Sequence, residues 1–249
     1  MTALELVVAG LTIGLLLGLL GGGGAIFTAP LLIYGFGLSA LEATTVSLVV
    51  VLMGALSGLV GHAREHTVKW RKGTVFGLVG MVGAVAGSWA AGSVPERVLL
   101  GGFAVLLVLA ALAMWRPPVR SGPAQDGPTQ SVPLVVLTAL GVGLVTGFFG
   151  VGGGFVIVPA MVLVLGCTMR NAAATGLLVI AINASAALVA RGASSLDLSV
   201  ALPMAVGAAA GAFVGSRLAP NVPTRRLQQA FAGLMVATAV VIGMQTINA

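Results

Sequence analysis

The stretch Gly14–Pro30 reads GLLLGLLGGGGAIFTAP, and Gly143–Pro159 reads GLVTGFFGVGGGFVIVP. Each places consecutive glycines inside an apolar run, after a Gly-xxx-Gly helix and before a proline. Four glycines in a row, Gly21–Gly24, interrupt the first stretch, and Gly150, Gly152, Gly153 and Gly154 interrupt the second. Within a bilayer, unwound backbone persists only where protein buries it or where it lines a polar cavity. Two helix breaks at corresponding points of two half-sequences mark the central site of a transporter. The correspondence is numerical. A displacement of 129 carries Gly14, Leu15, Gly18, Gly21, Gly23, Gly24 and Pro30 onto Gly143, Leu144, Gly147, Gly150, Gly152, Gly153 and Pro159. A displacement of 128 then carries Gly83, Ala84, Gly87, Ser88, Val94, Pro95, Arg97, Leu99 and Phe103 onto Gly211, Ala212, Gly215, Ser216, Val222, Pro223, Arg225, Leu227 and Phe231. The chain is an internal duplication.

Composition sets the medium. Of 249 residues 58% are hydrophobic and 7% charged, which no soluble domain of this length matches. The charges fall in short clusters between apolar blocks of membrane-spanning length. The net charge of +6 raises nucleic acid as a partner, but basic residues in membrane loops follow from the positive-inside rule. Cys167 is the only cysteine, so no internal disulfide or thiolate metal cluster forms. The start, MTALELVVAG, has Glu5 and no basic residue before its apolar run, a poor cleavable leader.

Each half holds four apolar segments, near Leu4–Gly37, Ala43–Gly61, Gly73–Gly92 and Val98–Trp115, and near Val132–Gly166, Ala172–Ala190, Ser199–Leu218 and Leu227–Met244. The first of each half is too long for one span. Leu4–Gly37 as a single helix would measure about 50 Å, against a hydrocarbon core of about 30 Å. Broken at its glycines it becomes a hairpin that enters and returns, with arms of about 25 and 20 Å. Charge supports this. The loops His62–Lys72 (Arg64, Lys69, Arg71, Lys72) and Arg217–Arg226 (Arg217, Arg225, Arg226) are the most basic and belong in the cytoplasm. Eight simple spans would put them on opposite sides. A hairpin without net crossing plus three spans per half puts them on the same side, with Glu42 outside. Arg97 and Arg191 fall outside this pattern, each near an acid, Glu96 or Asp197. The expected fold is an all-α integral membrane protein of two inverted repeats, each a broken, re-entrant helical hairpin followed by three transmembrane helices. Residues 1–115 form the first repeat and 132–249 the second. The Pro- and Gly-rich stretch 116–131 is a cytoplasmic linker, and both termini are periplasmic.

The two motifs, with the helices EATTVSL and NAAATGL that follow them and the later G-A-x-x-G-S and V-P-x-R repeats, resemble the sulfite exporter TauE/SafE family over essentially the whole chain. The resemblance implies a multi-pass permease of the bacterial inner membrane for small sulfur-containing or organic anions such as sulfite or sulfonates. A related thiosulfate-carrying branch relies on cysteines along its path, which this chain lacks.

A broken helix leaves N–H groups without intrahelical partners and presents a positive dipole end. Glycine lets an anion approach those amides. Gly22, Gly23, Gly24, Gly152, Gly153 and Gly154 are therefore the expected anion-binding backbone, whereas Gly14, Gly18, Gly143 and Gly147 serve helix packing. Packing also accounts for Gly73, Gly77, Gly80, Gly87, Gly207, Gly211 and Gly215. Pro30 and Pro159 bend the return arms. On the second helix of each half, Thr45 and Ser47 fit either a structural or a lining role. Thr175 and Asn183 share a broad helical face, and Asn183 is costly to bury unless used. No buried cationic side chain is expected to stand in for the backbone donors.

Apart from Glu5 at the very start of the first, no Asp or Glu lies inside an apolar segment, which argues against a cation path or a carboxylate proton relay. His62 and His66 are four residues apart but lack a third metal ligand. No Walker loop and no nucleophile–base pair is present. The sequence thus describes a secondary transporter without cofactor or metal and not an enzyme, its partners being a small anion and the bilayer. Proton- or sodium-coupled uptake of an organic anion is the alternative. An intramembrane hydrolase, which would need acids, and a structural subunit are the remote ones.

Overall fold

The computed structural model describes residues 2–63, 67–91, 93–94, 96–115, 131–150, 153–192 and 196–248. These form ten α-helices and, among the described residues, no strand. The first half contributes α1 (Ala3–Leu20), α2 (Gly23–Pro30, continued by the π turn Leu31–Gly35), α3 (Ala40–Ala63), α4 (Trp70–Ala91) and α5 (Glu96–Trp115). The second contributes α6 (Val132–Phe149), α7 (Gly154–Leu163), α8 (Met169–Arg191), α9 (Leu198–Leu218, followed by the 3-10 turn Ala219–Asn221) and α10 (Thr224–Asn248). Six helices, α1, α3, α4, α6, α8 and α9, are long and apolar enough to cross a membrane. The chain is a multi-pass membrane protein. The expected linker lies outside the described residues apart from Ser131.

The local reason for each break is glycine. α1 stops at Gly21, whose φ of 69° closes an N–H bond to the Leu17 carbonyl, and α6 stops at Gly150, with φ 62° and the same bond to Thr146. A side chain would resist this left-handed turn. The matched bonding continues along both return arms. Leu38 N–H reaches Leu32 O at 3.1 Å, and Cys167 N–H reaches Met161 O at 3.0 Å. Ser39 then caps α3 through the Glu42 amide, as Thr168 caps α8 through that of Asn171. Proline acts differently in the two arms: Pro30 is followed by the π turn, whereas α7 runs on past Pro159 to Leu163.

The first arm is longer than a short re-entrant limb. α1 and α6 have 18 residues each, about 27 Å, and each pairs with a spanning helix of the other half. Side chains are kept out of these contacts. A methyl at Gly10, Gly14 or Gly18 would strike the backbone of Met204, Ala208 or Ala212, and one at Gly207, Gly211 or Gly215 that of Val7, Leu11 or Leu15. α1 and α9 therefore run parallel at backbone contact, the small-residue packing that membranes favour. α6 and α4 repeat this through Gly143 on Gly80 and Gly147 on Ala84. α3 runs parallel to α9, with Gly54 beside Ala208 and Gly58 beside Ala212. α8 runs parallel to α4, with Thr175 beside Gly73 and Ile182 beside Gly77. α3 and α8 cross antiparallel, Thr44 meeting Arg191 and Gly58 meeting Leu177. Because α1 and α3 point the same way along α9, the chain recrosses between them through α2.

Candidate functional site

The two breaks meet. A methyl at Gly22 would lie 2.6 Å from the carbonyl of Gly154, and one at Gly154 would fall on the Cα of Gly22. The C-terminal ends of α1 and α6 and the N-terminal ends of α2 and α7 thus converge on one junction. The amides of Gly23 and Gly24 make no hydrogen bond among the described residues, as expected for the first turn of a helix. The junction is tightly filled in this conformation. A methyl at Gly24 would strike the Ile13 carbonyl, and one at Gly153 the Thr146 hydroxyl. Gly23 is looser, facing the side-chain ends of Leu20 at 2.7 Å and Leu234 at 3.2 Å. Phe103 of α5 packs over the second break, 5.5 Å from Phe149 and 5.2 Å from Phe155 between ring centres. Gly152 lies outside the described residues.

The expected side chains divide. Thr45 is buried and its hydroxyl returns to the Leu41 carbonyl at 2.8 Å. Ser47 is buried, and its hydroxyl has no partner among the described residues. Thr175 turns toward α4, where its hydroxyl accepts the Lys69 amide at 3.0 Å and so caps that helix. Ala173 and Gly176, on another face of α8, lie against Gly21. Asn183 is 0% exposed, and neither its amide nitrogen nor its oxygen has a hydrogen-bond partner among the described residues. It sits where Gly80 makes room, a methyl there coming within 3.0 Å of its nitrogen, at the α4–α8 contact and not at the glycine junction. Thr175 and Asn183 thus share a helix without sharing a site.

The sequence reading missed the strongest polar cluster. Arg191, the last residue of α8, reaches the second break instead of pairing with Asp197. One terminal nitrogen donates to the Thr44 hydroxyl at 2.6 Å, and the other to the carbonyls of Gly147 at 2.8 Å and Phe148 at 3.3 Å. The guanidinium packs on Gly150, where a methyl would come within 2.9 Å of it. Its Nε–H is buried and has no partner among the described residues. A half-buried cation thus stands at the second break, where no cationic side chain was expected. Asp197 is exposed and caps α9, its carboxylate held below the usual range by hydrogen bonds from Ser199. The first break has a counterpart. His62 ends α3 and is buried, with Nε2 3.0 Å from the Gly18 carbonyl. The displacement of 129 carries His62 onto Arg191 and Gly18 onto Gly147, so a basic residue in register in both halves was the available signal. Among the described residues no group of side chains could hold a metal. Burial raises the pKa of the half-buried Cys167 thiol, against the lowering pull of Lys72 and Lys69, so it is not an activated thiolate.

These paired breaks, each ended by a left-handed glycine and tied by a basic residue, span the region that a sequence model of the Sulfite exporter TauE/SafE family matches, residues 6–242. The chain belongs to the TauE/SafE family. A "Probable membrane transporter protein" of Xylella fastidiosa (strain Temecula1 / ATCC 700964) is 31% identical to this TauE/SafE chain over 242 residues, covering 92% of it and 90% of the relative. The "Probable membrane transporter protein YdhB" of Bacillus subtilis (strain 168) is 28% identical over 236 residues, covering 90% and 96%. No solved structure matches. The TauE/SafE chain is thus a membrane transporter by family and not an enzyme.

Proposed function

We propose that this transporter carries small sulfur-containing or organic anions, such as sulfite or sulfonates, across the bacterial inner membrane. The two halves are inverted repeats with periplasmic termini and a cytoplasmic linker. The parallel runs α1–α3–α9 and α4–α6–α8, opposed to one another, support the inversion, as does the shared side it gives both basic loops. The observation that carries the reading is the meeting of the breaks at Gly22 and Gly154, with unpaired amides on Gly23 and Gly24 and a guanidinium on the second break. Free amides at helix starts suit an oxyanion. With Gly22 and Gly154 in contact, an anion passes only as the two hairpins part. Lining residues are Gly22, Gly23, Gly24, Gly152, Gly153 and Gly154, with Ser47, Thr45 and Asn183 along the way. An inside-negative potential drives an anion outward by about 2.3 kcal/mol per charge per 100 mV, so export needs no coupling ion.

The test is flux into proteoliposomes of sulfite, sulfate, thiosulfate, methanesulfonate, trifluoroacetate and acetate. Saturable transport of a subset above empty liposomes is expected. Transport of none by folded protein contradicts the reading.

A further inference from the structure

We propose that Arg191 is the cationic anchor of the transported anion: its Nε–H donates to an anion oxygen at the second break while its terminal nitrogens stay on Thr44 and α6. This rests on the anion reading above and names the group that selects charge. Three observations carry it. The guanidinium is already positioned by three hydrogen bonds, to Thr44, Gly147 and Phe148. Its Nε–H is buried and has no acceptor among the described residues. No carboxylate neutralises it among the described residues: Thr44 faces it from α3, carbonyls face it from α6, and Asp197 before α9 is turned to Ser199. The half-buried Arg191 stays charged, and a charge left without a carboxylate among apolar helices marks a functional site.

Capping the end of α6 does not by itself account for an arginine. In the first half His62 meets the equivalent carbonyl, of Gly18, without a permanent charge. The position asks only for an N–H donor, so the charge at 191 is additional. Gly147 also accepts from Ser88 at 3.3 Å, so its carbonyl keeps a donor without the arginine.

The same comparison supplies the experiment. Arg191→His, in proteoliposomes, leaves a donor for the carbonyl and makes the charge depend on pH. Methanesulfonate and trifluoroacetate, a sulfonate and a carboxylate that stay ionised, are the probes, and flux is divided by that of the wild type at the same pH. Near pH 5.5 the histidine is charged and near pH 8 it is neutral, so relative flux is expected to fall about tenfold or more between them. Relative flux that is the same at both pH values, whether kept or lost, overturns the proposal. Should R191H not fold, R191K and R191Q replace it. Lys is expected to keep flux within about tenfold and Gln to lose it, because Lys keeps the positive charge and Gln does not; equal flux overturns the proposal. If the wild type carries neither these nor any other anion of the screen, the transport reading itself fails and the proposal with it.

Discussion

The two glycine breaks share a backbone and differ in chemistry. Both end in a left-handed glycine bonded four residues back, and both have a basic side chain on the carbonyl three residues before that glycine. Around Gly21 and Gly24 the first break meets only backbone, that of Ala173, Ile13 and Leu17. Around Gly150 and Gly153 the second meets Thr44, Thr146 and Arg191. Duplication thus preserved what the turn requires, and only one copy carries a fixed charge. The second break therefore presents a guanidinium where the first presents an imidazole.

The largest expected effect concerns what the breaks share. Gly22→Ala forces a methyl onto the Gly154 carbonyl 2.6 Å away, a backbone clash that side-chain motion cannot relieve. Overpacking of this kind costs about 1–3 kcal/mol, and folded yield in detergent should drop sharply. Gly23→Ala meets only Leu20 and Leu234 side chains, so it should fold yet lose flux if the amides receive the anion. Equal yields of the two variants would mean that the breaks do not touch.

The next effect concerns the difference. Charge-assisted hydrogen bonds contribute about 1.5–3 kcal/mol and neutral ones about 0.5–1.5. Arg191→Leu should therefore lower thermal stability more than His62→Leu. A larger loss at His62 would reverse the ranking of the two breaks.

Asn183→Leu sharpens the boundary of the site. Both amide atoms are buried without a partner, so replacing them by a side chain of similar size should leave stability unchanged or raise it by about 1 kcal/mol. Flux per folded molecule should fall. Unchanged flux would make Asn183 a packing residue. The smallest effect belongs to Thr175→Val, which removes one cap on the Lys69 amide. It should cost about 1 kcal/mol of stability and leave flux per folded molecule as in the wild type.

Backbone features were the legible part of this chain. Consecutive glycines, the 129-residue displacement and the Gly-xxx-Gly steps concern local conformation and close approach, which residue type alone governs. Side-chain partnership was much less legible. Thr44 and Arg191 are 147 residues apart, and their contact depends on α3 crossing α8 antiparallel. Read as a loop residue near Asp197, Arg191 gave no reason to enter the junction. The partner of Thr175 was hidden for the same reason, because the parallel run of α8 on α4 turns its hydroxyl to the Lys69 amide. The clash at Gly24 likewise depends on how closely α2 folds back on α1, which glycine permits without specifying.

The most direct test of the account clamps the membrane potential of proteoliposomes with no proton or sodium gradient and follows an anion that the wild type carries. The account predicts flux that reverses with the sign of the potential, carries net negative charge and is lost in Arg191→Gln. Flux that needs a proton or sodium gradient, or that persists undiminished without the arginine, would contradict it.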